Sequence, residues 1–268
     1  MLINGVEFKF GADPEVFVKT DKFVSAHGMV PGDKKNPHKV KDGAVQVDGM
    51  ALEFNIDPVD NLVDWEHNLT SVMGQLENMI PKDHKIEIVS TAEFGKEYID
   101  AQPEEAKELG CDPDMNAYTG DYNPTPDGDV PFRTGAGHIH VGWGENIDVN
   151  DPDHIEACIT LTKWMDYRLG IPSLLWDKDN ERRKLYGKAG AFRPKPYGVE
   201  YRVLSNKWLK HKQLRNFVWE GVVSSIRGAF YSNQPYSGKE IERKINTGQS
   251  NIDFYAWNRH YDHLERFA

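Results

Sequence analysis

Apolar positions recur along the chain with two different periods. Stretches that alternate or run apolar as strands do are Val6 to Phe10, Val16 to Val18, Phe23 to Ala26, Ala44 to Ile56, Ile86 to Phe94, Phe132 to Val141 and Val199 to Leu204. Ala44 to Ile56 is long enough for one strand or a hairpin. Between them lie helical stripes. Asn61 to Ile80 carries Leu62, Trp65, Leu69, Val72, Met73, Leu76 and Ile80 at 3.6-residue spacing. Asp153 to Leu169 opens on acids and should stop at Gly170 and Pro172. Leu209 to Tyr231 is apolar on one face, and Ile252 to Phe267 is a weaker, aromatic-rich stripe. Strands and helices do not alternate regularly, so a doubly wound parallel sheet is not expected. The pattern predicts an α+β fold, an antiparallel sheet with helices on one face. No internal repeat or Gly/Ser-rich linker breaks the chain, so residues 1–268 read as a single domain.

Within four of the strands the polar positions are chemically loaded. Side chains two apart share a face. Asp13 and Glu15 point one way in Gly11-Ala12-Asp13-Pro14-Glu15. Glu53 and Asn55 oppose Leu52, Phe54 and Ile56. His138 and His140 oppose Ile139 and Val141, and Glu200 and Arg202 oppose Val199, Tyr201 and Val203. Any one such strand taken alone reads more readily as a solvated sheet face, and Asp13-Pro14-Glu15 alone is compatible with a turn at a strand edge. Four together point to one concave surface. Carboxylates gathered there need compensation, and hard oxygen ligands with an imidazole suit Mg²⁺ or Mn²⁺. Gly135 and Gly137 remove side chains just before the histidines, leaving room for a ligand or a neighbouring backbone.

Composition narrows the classes. Of 268 residues, 39% are hydrophobic and 28% charged, and 42 acids against 32 bases give a net charge of -10. A global nucleic-acid footprint is therefore absent. No apolar run reaches a membrane span, and the first residues lack a signal-peptide pattern. Cys111 and Cys158 are too few for a disulfide framework and fit a reducing cytoplasm. Against this acidic background Arg182, Arg183, Lys184, Lys188, Arg193 and Lys195 crowd one segment with glycines at 187 and 190. Guanidinium forks match phosphate oxygens. The segment reads as a polyphosphate clamp or as a solvated charge run. No P-loop or Gly-x-Gly-x-x-Gly fingerprint offers another route to nucleotide. The polar stretch from about 101 to 131 is a long loop rich in turn chemistry.

The four strand motifs, in order, resemble those of the glutamine synthetases and glutamate–cysteine ligases. Gly-Ala-Asp-Pro-Glu, Gly-Cys-Asp-Pro-Asp-Met-Asn-Ala-Tyr, Arg-Arg-Lys-Leu-Tyr-Gly-Lys-Ala-Gly and Gly-Val-Glu-Tyr-Arg-Val-Leu-Ser-Asn are similar, more specifically, to the phage carboxylate–amine ligases of type 2. The resemblance runs from about Gly11 to Asn206. Asp13 stands where the acid pair usually begins with Glu. One residue is missing between Gly137 and His138, and there is no room for the small N-terminal domain of glutamine synthetases.

The resemblance implies a curved antiparallel half-barrel with helices on its outer face. It implies ATP-dependent amide formation with Mg²⁺ or Mn²⁺ through an acyl phosphate, from small-molecule or peptide carboxylate and amine substrates. It implies no nucleic acid or membrane partner, leaves a homo-oligomer open, and places the protein in the host-cell cytoplasm. Carried over by motif, Asp13, Glu15, Glu53, His138 and Glu200 are the implied metal ligands. His140 would meet nucleotide phosphate. Arg202 and Arg193 would hold the transferred phosphoryl group, with Glu200 beside them. Arg182, Arg183, Lys188 and Lys195 are further phosphate contacts, Asp48 is a guess for the base, and the loop from Gly110 to Tyr118 is a cap over nucleotide or substrate or a plain turn. Two other readings stay open: a metal-dependent hydrolase using the His-x-His strand, and a non-catalytic phage protein that kept the fold.

Overall fold

The alternation through Gly11, Asp13 and Glu15 runs straight through Pro14, and Lys9–Lys19 is a single strand, β1, of eleven residues. Pro14 is tolerated because its neighbours take over the pairing: Glu15 N donates to Ala136 O at 2.9 Å. The computed structural model describes residues 1–107, 113–125, 128–232, 238–249 and 262–267. Gly110, Cys111 and Asp112, and most of the stripe from Ile252 to Phe267, lie outside them.

Around β1 a ten-stranded sheet assembles. Its other members are β2 (Phe23–Val24), β3 (His38–Val40), β4 (Gly43–Asp48), β5 (Ala51–Ile56), β6 (Lys85–Glu87), β7 (Met115–Asn116), β8 (Gly137–Gly142), β9 (Ala191–Lys195) and β10 (Gly198–Tyr201). The order is β7-β9-β10-β8-β1-β5-β4-β3, with β2 and β6 both pairing with the far end of β1, and every pair is antiparallel. The path has two ends, so the sheet is open, not a closed barrel. The stretch from Ala44 to Ile56 is a hairpin, turned at Gly49 with φ of 57°. The stretch from Phe132 to Val141 breaks at Gly135 and Ala136. Its first part, Phe132–Thr134, pairs with Thr91–Glu93 in a separate two-stranded ribbon.

The apolar positions do what their period predicts. Phe10, Ala12, Leu52, Phe54, Ile139, Val141, Val199 and Tyr201 are buried in one core with three helices. These are α1 (Leu62–Met79), α2 (Pro152–Met165) and α5 (Lys212–Tyr231), which give Trp65, Leu69 and Val72, Leu161 and Trp164, and Val218, Val222 and Ile226. Each such side chain contributes roughly 1.5–3 kcal/mol on burial. Asn61 caps α1 by accepting from Asp64 N, and Asp151 caps α2 by accepting from Asp153 N. The expected stop at Gly170 does not occur. A π-helical turn, Asp166–Gly170, carries the chain into α3 (Ile171–Trp176), with Pro172 at its second residue. A short helix, α4 (Glu181–Leu185), precedes β9, and α6 (Gly238–Thr247) follows α5. No described helix is long and apolar enough to cross a membrane.

Candidate active site

Register does the assembling. Arg193 pairs with Glu200, Glu200 with His140, and His140 with Gly11, in one row across β9, β10, β8 and β1. His138 pairs with Asp13, Glu15 with Glu53, and Glu53 with Gln46 on β4. The polar positions of four sequence-distant strands therefore share one face. Gly11, without a side chain, opens the sheet surface opposite His140.

Ligand atoms of Asp13, His140 and Glu200 all lie within 4.8 Å of one another. His140 Nε2 is 3.0 Å from Asp13 Oδ1, and its Nδ1 is 2.5 Å from the Tyr197 hydroxyl. His138 is turned differently. Its Nδ1 accepts from Arg202 Nη1 at 3.2 Å and lies 3.3 Å from Asp13 Oδ1. Both histidines face the acids: His138 Nδ1 also lies 3.5 Å from Glu200 Oε1, but it shares that nitrogen with the Arg202 guanidinium, whereas His140 Nε2 does not. Arg202 Nη1 also donates to Glu200 Oε1, and Lys195 Nζ reaches Glu200 Oε2 at 3.0 Å.

Burial and neighbours set the charges. Burial opposes ionisation of Asp13, but His140 and His138 hold it well below the usual carboxylate range. Glu200 is likewise held low: burial and Asp13 oppose its ionisation, and Arg202 and the histidines outweigh them. Glu15 goes the other way, to about 7, through burial and the charge of Asp48. Glu53 is pushed well up by burial and by Asp13, Asp48 and Glu15, although Gln46 Nε2 donates to it at 2.7 Å. Burial and Arg202 lower His138, whereas Asp13 raises His140 against its burial. Five acids, counting Asp48, thus crowd one face with two of them resisting ionisation. That donor set fits a hard divalent cation.

The basic segment divides. Arg193 Nε and Arg202 Nε lie 3.3 and 2.6 Å from a single atom, Asp114 Oδ1, and Asp114 is buried. Arg182 is also buried. Its Nη1 donates to Val203 O, its Nε and Nη2 have no hydrogen-bond partner among the described residues, and its charge is felt by Glu15. Arg183 is spent elsewhere, on Asp179 O and Asn180 Oδ1 and near Asp177. Lys188 lines a small cleft beside Asp114. Asp48 pairs with Lys34 at 2.8 Å. Gly135 and Gly137 admit neighbouring protein: a Cβ on Gly137 would stand 2.4 Å from Ser205 O and from Trp208 Nε1.

A cavity of about 830 Å³ opens over the centre, lined by Asp13, Glu53, Asn55, His140 and Tyr197 and, at its rim, by Lys34 and Lys39. Asp114, Gln46 and Tyr197 are the residues that motif reading missed. Asp114 sits inside a motif singled out above, and Tyr197 sits in the turn joining two site strands; those positions were the available signals.

Residues 127–245 match the model of a protein family described as Phage phiEco32-like COOH.NH2 ligase-type 2, the family that the motifs resemble. The stretch is somewhat under half of the chain and includes His138, His140, Glu200 and Arg202. No curated protein matches the chain in sequence. Among solved structures, the chain resembles a bifunctional glutathione synthetase from Pasteurella multocida with a TM-score of 0.51 at 11% identity. The match covers 90% of this chain and 40% of that one, so the present chain spans well under half of its length. At that identity the likeness concerns the fold.

Proposed function

We propose that the protein is an ATP-dependent carboxylate–amine ligase working through an acyl phosphate, on a sheet of the glutamine-synthetase type. The observation that carries the reading is the meeting of Asp13, His140 and Glu200 beside two guanidiniums anchored on one buried carboxylate. The family description over residues 127–245 supports it.

Asp13, His140 and Glu200 would hold one Mg²⁺ or Mn²⁺, with Glu15 and Glu53 as further oxygen ligands on the same face. Such a cation neutralises phosphate charge and polarises the γ-phosphoryl group. Arg193 and Arg202 bind the equatorial oxygens of that group from the other side, and Arg182 adds a buried donor. The substrate carboxylate attacks the γ-phosphorus in line, and the bond to ADP breaks. The amine nitrogen then attacks the acyl carbon. Phosphate leaves, and the nitrogen gives up a proton, for which Asp48 is the candidate acceptor.

The hydrolase alternative rests on His138 and His140 acting together. It is disfavoured by the contact of His138 Nδ1 with Arg202, and it leaves the paired arginines without a task. The test is ADP release measured with a panel of amino acids and amines. ADP should appear only when metal, carboxylate and amine are all present. Ester or phosphoester cleavage without ATP would overturn the ligase reading.

A further inference from the structure

Tyr197 belongs to the centre geometrically, yet nothing in the ligase reading uses it. It occupies the two-residue turn between β9 and β10, where Lys195 pairs with Gly198. The turn is pressed onto the end of β8. Gly198 pairs with Gly142, and a Cβ on Gly198 would stand 2.0 Å from Val141 O. The amides of Trp143 and Gly144 both donate to Tyr197 O, at 2.8 and 3.2 Å. From this closely held backbone the phenol reaches His140. The ring centroids are 6.0 Å apart, with the hydroxyl oxygen 2.5 Å from Nδ1. The opposite ring nitrogen, Nε2, stands 3.0 Å from Asp13 Oδ1.

A neutral imidazole carries one proton on one of two nitrogens, and the partner of the non-ligating nitrogen decides which. We propose that Tyr197 accepts the Nδ1 proton of His140 and thereby fixes Nε2 as the atom offered to a divalent cation. The inference rests on the cation site of the proposed ligase. Tyr197 offers Nδ1 an acceptor against the pull of the Asp13 carboxylate on Nε2; without the hydroxyl only Asp13 is left to accept, and the proton settles on Nε2. A cation would then meet a protonated nitrogen. Tyr197 is in this sense a positioning residue: it touches the ligand and leaves the reacting atoms to others.

The test uses the full chain and Mn²⁺ alone, with no nucleotide. Wild type, Tyr197→Phe and His140→Ala are titrated by electron paramagnetic resonance, and the His140 tautomer is read from long-range ¹H–¹⁵N spectra at high pH. Wild type should show the Nδ1–H tautomer. Tyr197→Phe should weaken Mn²⁺ binding about 10-fold or more, as loss of an outer partner does at histidine sites, and should move the proton to Nε2. Tyr197→Gln, which returns a carbonyl acceptor, should recover part of the affinity. Unchanged Mn²⁺ affinity in a folded Tyr197→Phe protein overturns the proposal. If that variant does not fold, an Nε2–H tautomer in wild type overturns it by itself. Tight Mn²⁺ binding without ADP release under any substrate pair would sink the ligase reading and leave this inference standing. A wild type that takes up no Mn²⁺ sinks this one.

Discussion

At the residue scale, neighbouring acids on one sheet face end with opposite charge preferences. Asp13 and Glu200 have imidazole or guanidinium partners and stay ionised, whereas Glu15 and Glu53 face other carboxylates and resist it. The sign of the stability effect follows. Between the ordinary 4.5 and about 7, the folded state holds a proton on Glu15 that the unfolded chain releases, so stability falls as pH rises through that window. Asp166, buried under Tyr201 and Gly190 N and moved from 3.8 to about 7, adds the same sign. His140, raised, works with them, and His138, lowered, works against. Metal-free protein should therefore melt at lower temperature at about pH 8 than at about pH 5. Mn²⁺ should recover more stability at the higher pH, where its ligands ionise. Differential scanning fluorimetry checks both, and a flat profile would speak against this charge arrangement. Glu200→Gln keeps size and removes charge; metal-dependent ADP release should drop by roughly 10²-fold or more. Asp114→Ala leaves two guanidiniums short of a buried counter-charge and should cost about 3 kcal/mol in urea unfolding. Asp13, Glu53, His138, His140, Glu200 and Arg202 were legible because period-2 spacing alone puts them on a polar face. Asp114 and Tyr197 were not, because their partners lie in other strands and a single sequence records no contacts.

At the element scale, the alternation of β1 and β8 held while their bounds did not: β1 joins two expected strands through Pro14, and β8 is only the second part of Phe132 to Val141. The helix stop expected at Gly170 failed because Leu169, Gly170 and Ile171 are all buried, and packing favours continuing the helix over ending it. Val199 to Leu204 is a strand only to Tyr201, yet Arg202 keeps its direction because its N–H still donates to Ala191 O. Glycines before the histidines were read as room for a ligand or for backbone, and the space holds neighbouring backbone together with the side chains of Asn206 and Trp208. Gly137→Ala should push β8 off Ser205 and Trp208. Overpacking of that kind costs about 1–3 kcal/mol, and the shift should also loosen His138. Chemical denaturation together with the imidazole resonances of His138 and His140 would show it, and unchanged values for both would contradict the packing described.

At the scale of the whole molecule, the α+β class and the antiparallel sheet were readable from the order and period of the elements. Strand order was not, since nothing local says that β8 must insert between β1 and β10. Ligand binding should be felt globally. With ATP and Mg²⁺ at about 100 times the dissociation constant, unfolding should require roughly 2.7 kcal/mol more. A melting temperature that does not move with both present would count against nucleotide binding.

The placing of β1 also has a consequence for synthesis. This strand carries the first acids of the centre but finds its partner β8 only after a long intervening chain, with Asp13 opposite His138. On the ribosome those carboxylates emerge long before the imidazoles and guanidiniums that balance them, and long-range pairing of this kind is slow to form. A nascent chain halted short of β8 therefore carries Asp13, Glu15 and Glu53 without the imidazoles and guanidiniums, and the face is balanced only once β8, β9 and β10 have been made.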